Sequence, residues 1–357
     1  MKGWQSAAAL LLLTCVRPAD QRAELDNAVG LAADESFDVL VVDNQAAVRE
    51  LGAGSLLLWA QAPVLQLQMQ SERDLSLRVE VRNCMPDAVL TIAGTNYPAQ
   101  DKPRPTWCVY QIDLARGDNE IVIAPADWNE ESAYRFADMG DIQTAMDSVH
   151  EVFETISATP DLRFVMSTGD VVETGDLEEY ELFQEMLASL NIPFFSTIGN
   201  LEVTSNAVRW HELFGRYSVH FRFKGMDFSF VDSGNATIDP SLYERLDTWL
   251  AAGQDRVHIF GTHYPPLDPV GARNAGFRSR NEASKLLTKL AKGNIDLTLY
   301  GHVHSFYQFT NAEIPAYISG GGGALPERFD GVDRHFLVIE VDPSQNQVSS
   351  VDLVRVP

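Results

Sequence analysis

The chain has 357 residues, 45% of them hydrophobic, and a formal net charge of -23 at pH 7. That length suits two domains of ordinary size with sizeable cores. The acidic balance opposes non-specific binding to nucleic acid or to an anionic membrane, both of which need clustered Lys and Arg; it leaves open a phosphate ester wherever metal ions supply local positive charge.

Residues 1–15 read as an export signal. Lys2 gives a short basic start, and the apolar run over 7–13 is too short to cross a bilayer as a helix. Leu12-Leu13-Thr14-Cys15 resembles the bacterial lipoprotein cleavage site, in which the cysteine becomes lipidated and attaches the protein to a membrane. Thr14 departs from the usual Gly, Ala or Ser, and an ordinary cleaved signal with an incidental cysteine is the other reading. Either way the protein is expected to be exported: periplasmic, a cell-surface lipoprotein held through Cys15, or secreted. Residues 16–33 carry mixed charge and alanine and are expected to form a mobile tether.

Over 34–124 the pattern changes to short β-prone runs at 37–42, 55–59, 64–69, 75–81, 89–93, 107–112 and 120–123, separated by turn residues such as Asn96-Tyr97-Pro98 and Arg116-Gly117-Asp118-Asn119. This predicts a small all-β, antiparallel sandwich of immunoglobulin-like type with a structural or interaction role. Cys84 and Cys108 would form one disulfide in an exported protein, or remain two buried thiols. Residues 125–132, polar and carrying Trp128, read as the linker.

From 133 to 357 strands alternate with helical patterns. Strands are expected at 134–139, 163–167, 193–197, 257–262 and 294–300, helices at 144–156, 177–190, 240–252 and 282–291, and a hairpin over 219–231 turning at Lys224-Gly225. Later β-rich pieces at 316–319, 336–341 and 348–354 suggest a second sheet packed on the first. Such alternation argues α/β layering.

In open α/β sheets ligands bind beyond the carboxyl ends of the strands. Those ends carry Gly140-Asp141-Ile142-Gln143, Gly169-Asp170, Gly199-Asn200-Leu201-Glu202, His263-Tyr264 and Gly301-His302-Val303-His304. A single Gly-Asp after a strand is usually a turn. Five polar strand ends in one domain point instead to a shared centre. Carboxylate, amide oxygen and imidazole without thiolate suit Fe, Mn or Zn. One carboxylate shared by two cations is the arrangement of two-metal hydrolases.

The order Asp-x-(His), Gly-Asp, Gly-Asn, His, Gly-His-x-His, spread over roughly 134–342, resembles the calcineurin-like metallophosphoesterases, which include the purple acid phosphatases. The resemblance implies a four-layer α/β/β/α sandwich, two transition-metal ions, and hydrolysis of a phosphate mono- or diester by a metal-bridging hydroxide. It implies that Asp170 bridges the ions, that Asp141, Gln143 and His304 serve the first, and that Asn200, His263 and His302 serve the second. Asp170, Asn200 and His263 become the catalytic residues, and Asn200, Tyr264 and Arg278 the substrate contacts.

Three positions depart from that pattern. Gln143 stands where the first block usually has histidine, and its carbonyl is a weaker ligand. Leu201 replaces the histidine that in the family contacts the phosphate and is thought to protonate the leaving group. Glu173 stands where the purple enzymes have tyrosine. Asp138, through Asp138-Met139-Gly140, is an alternative to Asp141, its other reading being a solvent-facing strand residue. One of Arg273, Arg278 and Arg280 could clamp phosphate or merely pair at the surface; Tyr264 could donate to it or pack; the glycines of 320–323 could face an anion or pack closely. His150, His211, His220, His258 and His335 read as structural or surface residues. The rival to an enzyme is a non-catalytic binding module, for which Gln143 and Leu201 speak and the six retained ligands do not.

Overall fold

The computed structural model describes residues 18–52, 54–271, 275–327 and 331–357. The expected export signal, Cys15 and Arg273 lie outside them. No described helix is long and apolar enough to cross a membrane.

The stretch expected to be a tether begins instead with a helix, α1 (Pro18–Asp26). Its buried positions, Ala19, Arg22, Ala23 and Asp26, recur at helical spacing. Two of the four are charged, so the stripe shows no hydrophobic period and reads as a linker. Arg22 donates to both oxygens of Asp232, at 2.7 and 3.1 Å, and to Asn235 Oδ1 at 2.9 Å. Asp26 accepts from the backbone of Tyr217 and Ser218.

Residues 31–124 form two sheets. In spatial order, sheet 1 holds Leu31–Ala33, Phe37–Val41, Leu65–Ser71, Gly117–Ala124, Val89–Ile92 and Thr95–Tyr97; sheet 2 holds Ala46–Gly52, Ser55–Ala60, Leu75–Arg82, Trp107–Leu114 and Asp101–Arg104. Leu65–Ser71 buries every odd residue and exposes Gln66, Gln68 and Gln70, the period-2 pattern of a strand with one wet face. Not every pair is antiparallel. Ser55–Ala60 runs parallel to Leu75–Arg82, because the intervening strand crosses to sheet 1 before the chain returns. Cys84 and Cys108 are free thiols buried in this core, the second of the two alternatives.

Sheets 3 and 4 carry the rest. Sheet 3 runs Phe194–Ser196, Leu162–Ser167, Tyr134–Met139, His335–Asp342 and Gln347–Arg355; sheet 4 runs Val219–Phe223, Met226–Val231, His258–Thr262, Leu297–Tyr300, Ile314–Ser319 and Phe306–Asn311. Their inner faces meet through aromatic rings: Phe136 on Phe228 at 5.3 Å, and Phe164 against Phe221 and Phe228 at 6.0 and 5.5 Å. Each such ring, fully buried, contributes about 1.5–3 kcal/mol. Helices cover the outer faces. α2 (Val149–Ala158) and α3 (Leu177–Met186) bury Val152, Phe153, Ile156 and Phe183 with Ala137, Val165 and Val338 of sheet 3. The short α4 (Val208–Leu213) joins the same cluster through Trp210. α5 (Leu242–Gly253) and α6 (Arg280–Lys292) bury Leu246, Leu250, Leu286 and Leu290 with Val231 and Phe260 of sheet 4. The result is a mixed α/β fold whose sheets and helices agree with a metallophosphoesterase sandwich.

The expected hairpin is present, Val219–Phe223 pairing with Met226–Val231. Lys224 and Gly225 both have positive φ, 49° and 83°, as a tight two-residue turn requires. The expected linker is held in place: Asp127 pairs with Lys224 at 2.7 Å and with Arg163 at 3.0 Å. The edge strand Phe194–Ser196 is blunted by Asn83, whose amide exchanges two 2.8 Å hydrogen bonds with the Phe194 backbone.

Candidate metal centre

The polar loops converge because parallel strands of both sheets end at one side of the molecule. Tyr134–Met139, Leu162–Ser167 and Phe194–Ser196 of sheet 3 deliver Asp141, Asp170 and Asn200. His258–Thr262 and Leu297–Tyr300 of sheet 4 deliver His263, His302 and His304. Asp141, Gln143, Asp170 and His302 all sit at positive φ, 63°, 50°, 54° and 67°. Such left-handed backbone at non-glycine residues costs about 1–3 kcal/mol each and gathers at functional sites. Glycine is required at 199, where a Cβ would fall on Asp170 Oδ1.

His263 and Asn200 meet Asp170 in one corner. His263 Nδ1 faces the Thr168 carbonyl at 3.1 Å, which fixes the proton there and leaves Nε2 bare. That bare nitrogen stands 3.1 Å from Asn200 Oδ1 and 3.3 Å from Asp170 Oδ2. With the His263 ring neutral, three acceptors thus converge on one point. The ligand atoms of Asp170, His263 and His302 lie within 4.8 Å of one another. This set fits a divalent cation: it is poor in protons, rich in lone pairs and mostly buried. Its hunger for positive charge shows in His263. Burial would lower the imidazole pKa, but Asp170 overrides it and raises the value to about 9, so without a cation the ring takes a second proton on Nε2, the proton a cation would displace. Asp170 in turn, although buried, is held below the ordinary carboxylate value by His263.

The second corner is different. His304 Nε2 lies 3.6 Å from Asp141 Oδ1, and the His302 backbone donates to Asp141 at 2.9 Å. Gln143 reaches into it with Nε2, 2.9 Å from Asp170 Oδ2 and 3.0 Å from His304 Nε2. Burial pushes the Asp141 carboxyl up to about 6, with His263 and His304 opposing.

Around this pair of corners the expected neighbours fall out unequally. The Tyr264 ring lies tilted at 34° against His302, ring centroids 3.9 Å apart, so it packs against a candidate ligand. Arg278 and Arg280 are exposed, and among the described residues no hydrogen bond or ion pair joins either side chain to the centre. Glycines 320–322 are close-packed: a Cβ would fall on the Val303 carbonyl, the His335 ring or the Gly140 carbonyl. Asp138 is neither ligand nor solvent-facing. It is fully buried on the strand face shared with Phe136, no hydrogen bond reaches either oxygen, and burial raises its pKa far above the carboxylate range.

Sequence reasoning assigned no role to Glu202. Its buried carboxylate accepts from the backbone nitrogens of Gly199, Asp170, Val171 and Val172, at 2.6, 3.1, 2.7 and 3.2 Å, and so lashes the Asn200 loop to the Asp170 loop. Its place as the acidic residue of the Gly-Asn-x-Glu block was the available signal.

Residues 134–306 match the calcineurin-like phosphoesterase family. Those residues carry a calcineurin-like phosphoesterase domain, a match that supports the metallophosphoesterase superfamily. The chain is 26% identical over 199 residues to a protein of Arcobacter nitrofigilis described as a probable glycerophosphodiester phosphodiesterase GpdQ, covering 52% of this chain and 71% of the relative. Among solved structures it is similar in fold to the purple acid phosphatase PPD1 from yellow lupin (Lupinus luteus) seeds, with a TM-score of 0.54 and 12% identity, over 82% of this chain and 72% of that one.

Proposed function

We propose that this protein is an exported, metal-dependent hydrolase of phosphate mono- or diesters. The observation that carries this reading is the meeting of His263 Nε2, Asn200 Oδ1 and Asp170 Oδ2 at 3.1 and 3.3 Å, with His302 beside them. The name of the Arcobacter relative favours diesters as the substrate class. Asp170, Asn200, His263 and His302 would hold the cation, of Fe, Mn or Zn type. When bound, such an ion lowers the pKa of a water and neutralises charge on phosphoryl oxygens. The chain's own part is orientation. Thr168 fixes the His263 tautomer, and Glu202 fixes the Asp170 and Asn200 loops. Leu201 offers no proton, so the departing oxygen takes one from water. The two-ion form with a bridging hydroxide belongs to the same reading; it needs Asp141, Gln143 and His304 to ligate as well.

The other parts of the reading rest on sequence. Export, and attachment if Cys15 is lipidated, are read from residues 1–15, and a net charge of -23 opposes non-specific binding to nucleic acid. The two-sheet region 31–124 is read as an immunoglobulin-like interaction module. Leu201 favours a second reading, in which the domain binds phosphate esters without turnover. Turnover of bis-p-nitrophenyl phosphate and p-nitrophenyl phosphate with added Mn²⁺ separates the two, because p-nitrophenolate leaves unprotonated. Hydrolysis that disappears in Asp170→Asn supports the enzyme; none in the parent protein sinks it.

A further inference from the structure

We propose that Gln143 takes the place of a metal ion instead of ligating one, so that the centre holds a single cation, in the Asp170–Asn200–His263–His302 corner. This rests on the metal-dependent reading above and deepens it.

The argument is one of protons. His304 Nδ1 stands 2.9 Å from the Leu325 carbonyl, which can only accept; the ring hydrogen is therefore on Nδ1, and Nε2 is a bare lone pair. Asp170 Oδ2 is likewise an acceptor. Both face one atom of the Gln143 amide, at 3.0 and 2.9 Å. Were that atom the carbonyl oxygen, three acceptors would crowd together. As the NH₂ group it gives one hydrogen to each neighbour, and both of its hydrogens are used. The amide thus does what a cation would do there: it answers the lone pairs of His304 and Asp170.

For Gln143 to act as a ligand it must turn its amide over, present Oε1, and break both hydrogen bonds. The backbone discourages other arrangements. Ile142 and Gln143 nitrogens both donate to the Asp170 carbonyl, at 2.9 and 3.2 Å, and Gln143 is held at φ 50°. The contrast with the other corner is the core of the inference. There no side-chain amide stands between His263 Nε2, Asn200 Oδ1 and Asp170 Oδ2, so a cation can take the place of the ring proton and meet all three. The two corners share Asp170 but not its oxygens' surroundings: Leu201 nitrogen donates to Oδ1 at 2.9 Å, while Oδ2 is divided between the Gln143 amide and the His263 edge.

The experiment counts ions and asks whether they touch. Full-chain protein purified without chelator is saturated with Mn²⁺, desalted, and examined by elemental analysis and by electron paramagnetic resonance. The expected result is one Mn²⁺ per chain with the six-line spectrum of an isolated ion. Gln143→His should take up two, with the many-line spectrum of an exchange-coupled pair. Gln143→Ala, which removes the amide and adds no ligand, should also admit a second, weaker ion, and serves if the histidine variant does not fold. Two coupled ions in the parent protein would overturn the proposal and leave the metal-dependent reading standing. No bound ion in the parent would overturn both. A Gln143→His protein that folds, shown by an unchanged circular dichroism spectrum, yet still holds one ion would also count against the amide as the occupant.

Discussion

The backbone nitrogen of Leu201 donates to Asp170 Oδ1 at 2.9 Å, so the position where the resemblance leads one to expect histidine anchors the central carboxylate through its main chain. Leu201 is half-buried and stands in the chain between Asn200 and the buried Glu202. Leu201→His therefore restores a donor without removing that anchor. The gain should reach about 10²-fold on alkyl esters, the lower end of general-acid catalysis, and be near unity on p-nitrophenyl esters. A plot of log kcat/KM against leaving-group pKa tests it: the variant's slope should be shallower. An unchanged slope would mean that position 201 does not face the leaving oxygen.

Asp170→Asn should be the most damaging ligand change. The amide keeps the shape but loses the charge that opposes the cation and that raises His263. Altering residues that merely orient ligands costs about 10–100-fold in metal affinity, so this change should cost more than about 100-fold. Competition of Mn²⁺ against a fluorescent chelator measures it; an affinity within tenfold of the parent protein would refute the assignment.

His220 and His258 predict acid lability far from the centre. Ser229 Oγ lies 3.0 Å from His220 Nδ1 and 2.8 Å from His258 Nε2, and His220 stacks on Trp249 at 4.9 Å. Burial lowers the two pKa values, to about 3 and about 4, from 6.5. The unfolded chain then binds more protons below pH 6.5, so stability falls as pH drops from 6.5 toward 4 and is insensitive to these groups above 7. His258 alone accounts for about 3 kcal/mol at 1.36 kcal/mol per pKa unit. Calorimetric Tm between pH 7.5 and 4 should fall steeply in the parent protein and less steeply in His258→Gln.

Arg22→Ala should destabilise the fold by about 3–5 kcal/mol, because it leaves Asp232 charged, buried and without its partner. Arg22→Met with Asp232→Asn should recover much of that, since neither charge is then buried. Urea midpoints of the three proteins decide it; equal midpoints for parent and Arg22→Ala would show that α1 is not docked in solution.

The sequence made the centre legible because each ligand stands where a buried apolar run stops, and a strand's end can be read without knowing its neighbours. It did not reveal which way Gln143 turns its amide. That is decided by the Leu325 carbonyl on the far side of His304, a contact 21 residues along the chain from the histidine and without any motif. Among the helices, 144–156 was anticipated as one element, but Gln143–Ser148 is 3-10 and only Val149–Ala158 is α, as the turn that presents Gln143 is wound tightly. α1 was missed because its buried face carries an arginine and an aspartate, a stripe that makes sense only once Asp232 and the Tyr217 and Ser218 amides are in place.

That last relationship sets an order of events. Arg22 and Asp232 are 210 residues apart, and joining chain ends across such a span costs on the order of 5 kcal/mol in entropy. During synthesis the partner emerges long after the helix, so α1 must wait, unseated, while everything through the hairpin of sheet 4 is made and folded. Seating of α1 is therefore a late event that certifies the rest: protection of the 18–26 segment from protease should rise only when the chain beyond residue 235 has folded.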